Sequence, residues 1–198
     1  MQHVAIVVHP DAQRRSARAT SGFTLIELLV AIAVLAIMIA LAVPSFTGLI
    51  NGNRLTANSN EMVASLQLAK MESLRRNLRV AVCESDDGAT CTDGDEWGQW
   101  ITIADSNRDG TYDQVLRVSV VEQPVQVRAA DTITGNGNRI EFRADGMARA
   151  ADGALLDALV SVCLPTTQPP QNERLVELAF GSRINSRRSD AGGACVAP

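Results

Sequence analysis

The feature that most constrains this chain is a single acidic residue at the head of a long apolar segment. The sequence Gly22-Phe-Thr-Leu-Ile-Glu27 opens a stretch that carries no further charge up to Val43, about the length needed to cross a bilayer as a helix. A charged side chain in hydrocarbon costs about 2.5–3.5 kcal/mol on insertion scales, so Glu27 needs a specific role or partner. Three arginines within residues 14–18 favour a cytoplasmic N-terminus.

Two simpler interpretations account for part of this pattern. An ordinary secretory signal has basic residues, an apolar core and small residues at its cleavage site, and Ala40-Leu41-Ala42 fits such a site. The apolar core of such a signal is usually about 7–15 residues long, and an acid at its head is not typical of it. A plain membrane anchor accounts for the length of the segment, but not for the order Gly22, Phe23, Glu27.

The combination resembles the N-terminal signal of type IV pilins and type II secretion pseudopilins. The resemblance implies that a prepilin peptidase cleaves after Gly22 and methylates the new N-terminus at Phe23. It also implies that Glu27 pairs with the N-terminal amine of a neighbouring subunit during fibre assembly. The implied partners are the peptidase, other pilin-like subunits along the N-terminal helix, an inner-membrane assembly platform, and membrane lipid before assembly. The implied location is the bacterial inner membrane, single-pass, with a periplasmic domain that later enters a periplasmic pseudopilus or a surface pilus.

Composition argues against an enzyme. Both histidines, His3 and His9, lie in the predicted leader, so residues 23–198 contain none. Ser-His-Asp and Cys-His catalysis and histidine-ligated metal sites are therefore excluded from the mature chain, and no cofactor is expected. Loss of three arginines and one aspartate with the leader changes the formal net charge from −4 to −6.

The four cysteines of the predicted exported part favour disulfides. They are Cys83, Cys91, Cys163 and Cys195. An even number of cysteines in an exported domain is typical of disulfide bonding, and three connectivities are possible. We favour one bridge that closes a short acidic loop, Cys83–Cys91, and one that pins the C-terminal tail, Cys163–Cys195. A four-thiolate zinc site is the alternative, but the chain has no C-x-x-C pair.

The sequence predicts one long helix over the first third of the mature chain, residues 23–77. A continuous helix of this length would measure about 80 Å. Pro44 lacks an N–H group, so a kink or local opening is expected there. The apolar residues of the second half recur at spacings of seven, four and three: Leu55, Met62, Leu66 and Ala69. We expect this stripe to pack on the protein's own sheet.

Beyond residue 78 the apolar period changes to two, which predicts strands. They are expected at 79–83, 97–104, 114–120, 125–128, 139–142, 159–164 and 175–180, with the second and third paired as a hairpin. The predicted fold class is α+β: a long N-terminal transmembrane α-helix followed by a mostly antiparallel β-sheet domain. The predicted parts are a leader (1–22), an apolar helix half (23–43), an amphipathic helix half (44–77) and a periplasmic domain (78–198).

Two later segments resemble the pseudopilin H / FimT group of minor pilins. Residues 97–117 are similar to its tryptophan strand, D-x-N-x-D-G turn and V-L-R strand, and residues 140–146, I-E-F-R-A-D-G, to its next signature. The resemblance covers essentially the whole mature chain. It implies the pilin fold and a structural subunit of a type II secretion pseudopilus or a type IV pilus, associated with the fibre tip and priming assembly.

Part of the same segment also matches a calcium loop. Asp105, Asn107 and Asp109, followed by Gly110, fit the first half of an EF-hand loop. Leu116 occupies the position of the bidentate glutamate, however, and no helix is predicted after it. A hairpin turn built from Asp, Asn and Gly explains the same residues without a metal, and we favour the turn.

Near the C-terminus, arginines suggest an alternative function. FimT-type minor pilins carry a G-R-x-R motif there that holds DNA, and residues 181–188 of this chain read G-S-R-I-N-S-R-R. Arg183, Arg187 and Arg188 are the candidate phosphate contacts, since clustered positive charge is the main requirement. This pattern predicts, as the alternative to a purely structural role, a fibre-displayed DNA-binding minor pilin. A solvated tail explains the same arginines, because no aromatic residues alternate with them and the mature chain is acidic.

Overall fold

The computed structural model describes residues 22–179 and 181–198. The chain divides into two compact units, residues Met1–Leu41 and Ala42–Pro198. Helix α1 (Leu25–Arg76) begins in the first unit and continues into the second. Its helical backbone runs through Pro44 without interruption, and the kink expected at that residue stays a prediction.

The described part of the first unit is apolar and unpartnered. An 18-residue window of α1 has a mean hydropathy of 3.0, and none of it is buried. Within the described residues, α1 is the one helix long and apolar enough to cross a membrane. A helix that is apolar on all sides needs an apolar environment from outside the chain, which a bilayer or packed neighbouring helices provide.

Residues 77–179 and 181–198 contain nine strands and one short helix. These are β1 (Val80–Glu84), β2 (Gln99–Ala104), β3 (Gln114–Val120), β4 (Gln126–Ala129), α2 (Asp131–Thr134), β5 (Arg139–Phe142), β6 (Ala148–Arg149), β7 (Ala158–Cys163), β8 (Glu173–Ala179) and β9 (Arg183–Ser189). They form two sheets with antiparallel pairing, in the orders β3-β2-β1-β5-β6 and β4-β7-β8-β9. The predicted hairpin is present between β2 and β3, with a register shift between Thr102 and Ile103.

Both sheets contribute to one core with the amphipathic half of α1. The stripe at residues 55, 62, 66 and 69 is buried there together with apolar residues of β1, β4, β7 and β8. The expectation that this stripe packs on the protein's own sheet is therefore confirmed. A buried hydrogen bond joins helix to sheet, since the indole N–H of Trp100 donates to Ser65 Oγ at 2.9 Å.

The opposite face of the first sheet is covered as well. Ala81 and Cys83 of β1 form a smaller buried cluster with Ile101 and Ile103 of β2. Because both faces of β1 are covered, all five of its residues are buried. This explains why the segment reads as a nearly continuous apolar run.

Three elements were missed by the sequence pattern. Strand β9 contains one apolar residue, Ile184, so it lacks the alternation of apolar and polar residues that predicts a strand. Its extended backbone is stabilised by hydrogen bonding to β8 along its whole length. Strand β6 and helix α2 span two and four residues, too few to show a period. The strand expected at 97–104 begins at Gln99, because Trp97 and Gly98 form the entry to it.

Candidate functional site

The N-terminal end of α1 places Glu27 in the first helical turn. Gly22 and Phe23 precede the helix and are exposed. The hydroxyl of Thr24 accepts a hydrogen bond from the backbone N–H of Glu27 at 3.3 Å, and the Thr24 carbonyl accepts one from Leu28. Thr24 therefore caps the helix. The carboxylate of Glu27 lies near the positive end of the helix dipole, which stabilises a negative charge there.

This cap is a feature that the sequence reasoning missed. Thr24 and Glu27 form the pattern T-x-x-E ahead of an apolar run, which is the signature of a capping box. The structure shows the threonine half of the box. The Glu27 carboxylate makes no hydrogen bond within the described residues, and the residue is exposed.

The acidic loop after β1 is closed by a disulfide. Cys83 is bonded to Cys91, the connectivity favoured from the sequence. Within the loop, the backbone N–H groups of Thr90 and Ala89 donate to Asp87 Oδ1 at 2.8 Å each. These bonds favour the charged carboxylate and hold the pKa of Asp87 well below its usual range.

A second acid of the same region is shifted the other way. Glu84 ends β1 and is buried. Burial, followed by repulsion from Asp86, raises the pKa of Glu84 above the usual carboxyl range. The acidic loop is therefore held in one conformation by a disulfide and by hydrogen bonds. At its start, the folded state disfavours the charged form of Glu84.

The D-x-N-x-D-G segment forms the turn between β2 and β3. Asp105 is buried, and its carboxylate forms an ion pair with the guanidinium group of Arg79, with 2.8 Å between Arg79 Nη2 and Asp105 Oδ2. Asn107 Oδ1 accepts the backbone N–H of Asp109 at 3.1 Å, and Gly110 has a φ of 100°, which favours glycine. Among the described residues, no group of three or more His, Cys, Asp or Glu side chains is placed to hold a metal ion. The side-chain hydrogen bonds are those of a turn, and no observation favours the calcium hypothesis.

The three arginines proposed to contact DNA lie on two different faces of strand β9. Arg183 and Arg187 lie on one face of the strand by the alternation of side chains, and Arg187 is ion-paired with Glu177 of β8. Arg188 lies on the other face, which it shares with Ile184, a residue packed against the core. The structure therefore does not bring the three cations together on one surface.

The C-terminal tail is held by a second disulfide and by one buried amide. Cys163 is bonded to Cys195, again the favoured connectivity. Asn172, fully buried, donates to the Leu164 carbonyl at 2.8 Å and accepts from the Ala191 N–H at 2.9 Å. Sequence reasoning assigned Asn172 to a loop and gave it no role, because nothing local distinguishes a buried asparagine from an exposed one.

Two family models match the chain. Residues 58–179, more than half of the chain, match the family described as type II transport protein GspH. The chain belongs to this GspH family. Residues 17–43 match the prokaryotic N-terminal methylation motif.

Solved structures of related architecture are also similar to this chain. The type IV minor pilin FimU of Pseudomonas aeruginosa PAO1 is 15% identical, with a TM-score of 0.48 over 67% of this chain and 92% of that one. The minor pseudopilin EpsH from the type 2 secretion system of Vibrio cholerae is 10% identical, with a TM-score of 0.48 over 70% of this chain and 98% of that one. A search of the curated proteins finds no match. By its family, the chain is a minor pilin or pseudopilin of type II secretion or type IV pili.

Proposed function

We propose that this chain is a minor, tip-associated subunit of a type II secretion pseudopilus or a type IV pilus, and that it primes fibre assembly. Prepilin peptidase cleaves it after Gly22 and methylates Phe23. Residues 23–43 then anchor it in the inner membrane, with residues 78–198 in the periplasm, until the assembly platform inserts it into the fibre. The subunit does no bond-making chemistry of its own.

The observation that carries this proposal is the exposed apolar surface at the start of α1, interrupted by Glu27 alone. Leu25, Ile32 and Leu41 are each at least half exposed, although they are among the most apolar residues of the chain. Such a surface is stable only against lipid or against other apolar helices, and a fibre subunit uses both in turn. Transfer from lipid to fibre leaves the Glu27 carboxylate desolvated, and a desolvated carboxylate is stabilised by a cation. The N-terminal amine of a neighbouring Phe23 supplies that cation.

Substitution of Glu27 tests the assembly step. Glu27→Gln removes the charge with little change in size, so the variant should be cleaved and inserted into the membrane but should not enter the fibre. Incorporation is measured by cross-linking to other subunits and by recovery in sheared fibres. Glu72→Gln is the control, because it also removes one carboxylate from α1 but affects only ion pairs within the helix, with Arg75 and Arg76. Incorporation of Glu27→Gln at the level of the control contradicts the proposal.

Substitution at the two candidate cleavage sites tests processing. Gly22→Val should block removal of the leader, because the peptidase of this family cuts after a glycine. Ala42→Val should have no effect, because it alters only the site that an ordinary signal peptidase would use. The intact mass of the purified chain distinguishes the two results. Loss of cleavage in Ala42→Val, with normal cleavage in Gly22→Val, would establish an ordinary secretory signal instead.

The machine and the position in the fibre need separate measurements. Deletion of the gene should abolish either secretion of exported proteins or pilus-dependent motility, and the lost activity identifies the machine. Antibody labelling of the C-terminal residues should mark fibre ends. Labelling along the whole fibre length would contradict the tip assignment.

The arrangement of the three candidate arginines does not favour DNA binding as the function. Arg187 is neutralised by Glu177, and Arg188 lies on the face opposite Arg183. A mobility shift at low salt that disappears when the three arginines are replaced by alanine would reinstate that alternative.

A further inference from the structure

A small cleft lies between α1 and the segment that leads into β8. It has a volume of about 210 Å³ and is lined by residues that include Gly48, Gly52, Thr56, Gln171, Arg174 and Arg188. A Cβ atom added at Gly52 would meet no atom within 4 Å, which shows that the space beside this residue is open. Small-molecule sites usually measure about 300–1,000 Å³, so this cleft suits a single small group.

Arg174 brings an uncompensated positive charge to the cleft. The residue is only 7% exposed. Its Nη1 donates to the backbone carbonyls of Gln171 and Glu173, at 3.0 and 2.9 Å. Among the described residues, no carboxylate lies within ion-pair distance of its guanidinium. Buried arginines normally have an anionic partner, because desolvation of an unpaired charge is costly.

Arg188 increases this imbalance. It lies directly opposite Arg174 in the pairing of β8 with β9, and both line the same cleft. Burial, and secondarily the charge of Arg188, lowers the pKa of Arg174. Like charges directly opposite on neighbouring strands are destabilising. A bound anion between the two guanidinium groups would remove both costs.

The position of the cleft on α1 indicates where the anion comes from. Phe46, Leu49 and Ile50 are exposed apolar residues of the same helical turns, and the first charged residue after Glu27 is Arg54. Residues 48–56 rise about 12 Å along the helix. The headgroup layer of a bilayer is about 5–8 Å thick on each side. The apolar surface of α1 ends at Arg54, so a bilayer that covered this surface would bring its headgroups to the residues that line the cleft.

We propose that Arg174 and Arg188 bind the phosphate of an anionic phospholipid while the subunit is stored in the membrane. The inference rests on the membrane storage proposed above and adds a specific lipid site to it. Bound lipid would orient the domain on the bilayer through two charge-assisted hydrogen-bonding groups. Entry into the fibre would then require release of this lipid.

The test uses the full chain, purified in a neutral detergent and titrated with phosphatidylglycerol, with bound lipid counted by native mass spectrometry. Arg188→Gln and Arg174→Met should each weaken lipid binding roughly tenfold or more, the loss expected for one hydrogen bond to a charged group. Arg183→Gln is the matched control, because it removes the same charge from β9 but lies on the opposite face from Arg188. An equal loss in Arg183→Gln, or no loss in the two cleft variants, overturns the proposal.

A stability measurement separates lost binding from lost folding. Arg174→Met removes a buried charge that has no carboxylate partner but also two hydrogen bonds to backbone carbonyls, so the variant should stay folded, with a midpoint of urea unfolding close to that of the unsubstituted chain. Lipid binding that is lost in a stably folded Arg174→Met variant supports the site. If this variant is unfolded, Arg188→Gln at the exposed partner decides the question.

Competition distinguishes the source of the anion. Inorganic phosphate at the lipid concentration should not displace phosphatidylglycerol, and its doing so overturns the lipid assignment. A single-stranded oligonucleotide that competes for the same two arginines overturns it in favour of nucleic acid. Glu27→Gln should keep full lipid binding, so failure of the assembly proposal and failure of the lipid site give different results.

Discussion

Loss of the Cys163–Cys195 disulfide should destabilise the β domain more than loss of Cys83–Cys91. The first bridge joins residues 32 apart and the second joins residues 8 apart. In the chain-entropy treatment, a cross-link stabilises by restricting the unfolded chain, and the effect grows with loop length. The expected contributions are about 3.7 kcal/mol for the long loop and about 2.5 kcal/mol for the short one.

The two bridges are well matched for this comparison. Each joins one fully buried cysteine, Cys83 or Cys163, to one half-buried cysteine, so replacement by alanine removes similar packing. Asn172 should keep the C-terminal tail in place after the long bridge is removed, because it retains its bonds to the Leu164 carbonyl and the Ala191 N–H and loses only a long hydrogen bond to Cys163 Sγ at 3.6 Å. The difference between the double-alanine variants should therefore be close to the loop term, about 1.2 kcal/mol.

Tryptophan fluorescence during urea unfolding measures this difference. The chain has two tryptophans, Trp97 and Trp100, and both are fully buried in the domain core, so the signal reports the domain and not the apolar helix. Free energies come from linear extrapolation for the full chain in detergent. A Cys83→Ala/Cys91→Ala variant that is as unstable as Cys163→Ala/Cys195→Ala would refute the loop-entropy reasoning.

Three further substitutions can be measured in the same assay. Ser65→Ala leaves the buried indole N–H of Trp100 without an acceptor and should cost about 1–3 kcal/mol. Gly146→Ala places a Cβ 3.0 Å from the Leu74 side chain at a φ of 72° and should cost about 1–2 kcal/mol. Glu84→Gln should stabilise the domain at neutral pH, because the folded state raises the pKa of Glu84. That gain should vanish below the usual carboxyl range, where Glu84 is protonated in both states, and a gain that persists in acid contradicts the charge argument.

Features written in consecutive residues were predictable from the sequence. The apolar segment with Glu27, the change of period after residue 78 and the stripe at residues 55–69 follow from local composition and spacing, and the structure agrees on the elements they produce. Absence of histidine beyond residue 9 is also a property of the sequence alone. The Thr24 cap was equally readable but was missed.

Features that depend on which distant segments meet were decided by the tertiary structure. Strand β9 has almost no apolar period, and it is a strand because β8 offers a row of hydrogen-bonding partners. That pairing places Arg187 beside Glu177 and Arg188 beside Arg174, so residues that look like one basic tail have different surroundings. The order of charges along the sequence does not show which face of a strand each side chain occupies when the strand itself is not predicted. For this reason the sequence suggested one group of three arginines and gave no indication of the cleft.

The sequence by itself determined the class of this protein, because a long apolar segment with one acid at its head is a local signal that needs no tertiary contact to be recognised. The tertiary structure decided which charged side chains of the domain are paired, exposed or buried. Burial changes the cost of a charge by several kcal/mol, and only the packing of α1 against the second sheet places Arg174 out of water without a partner.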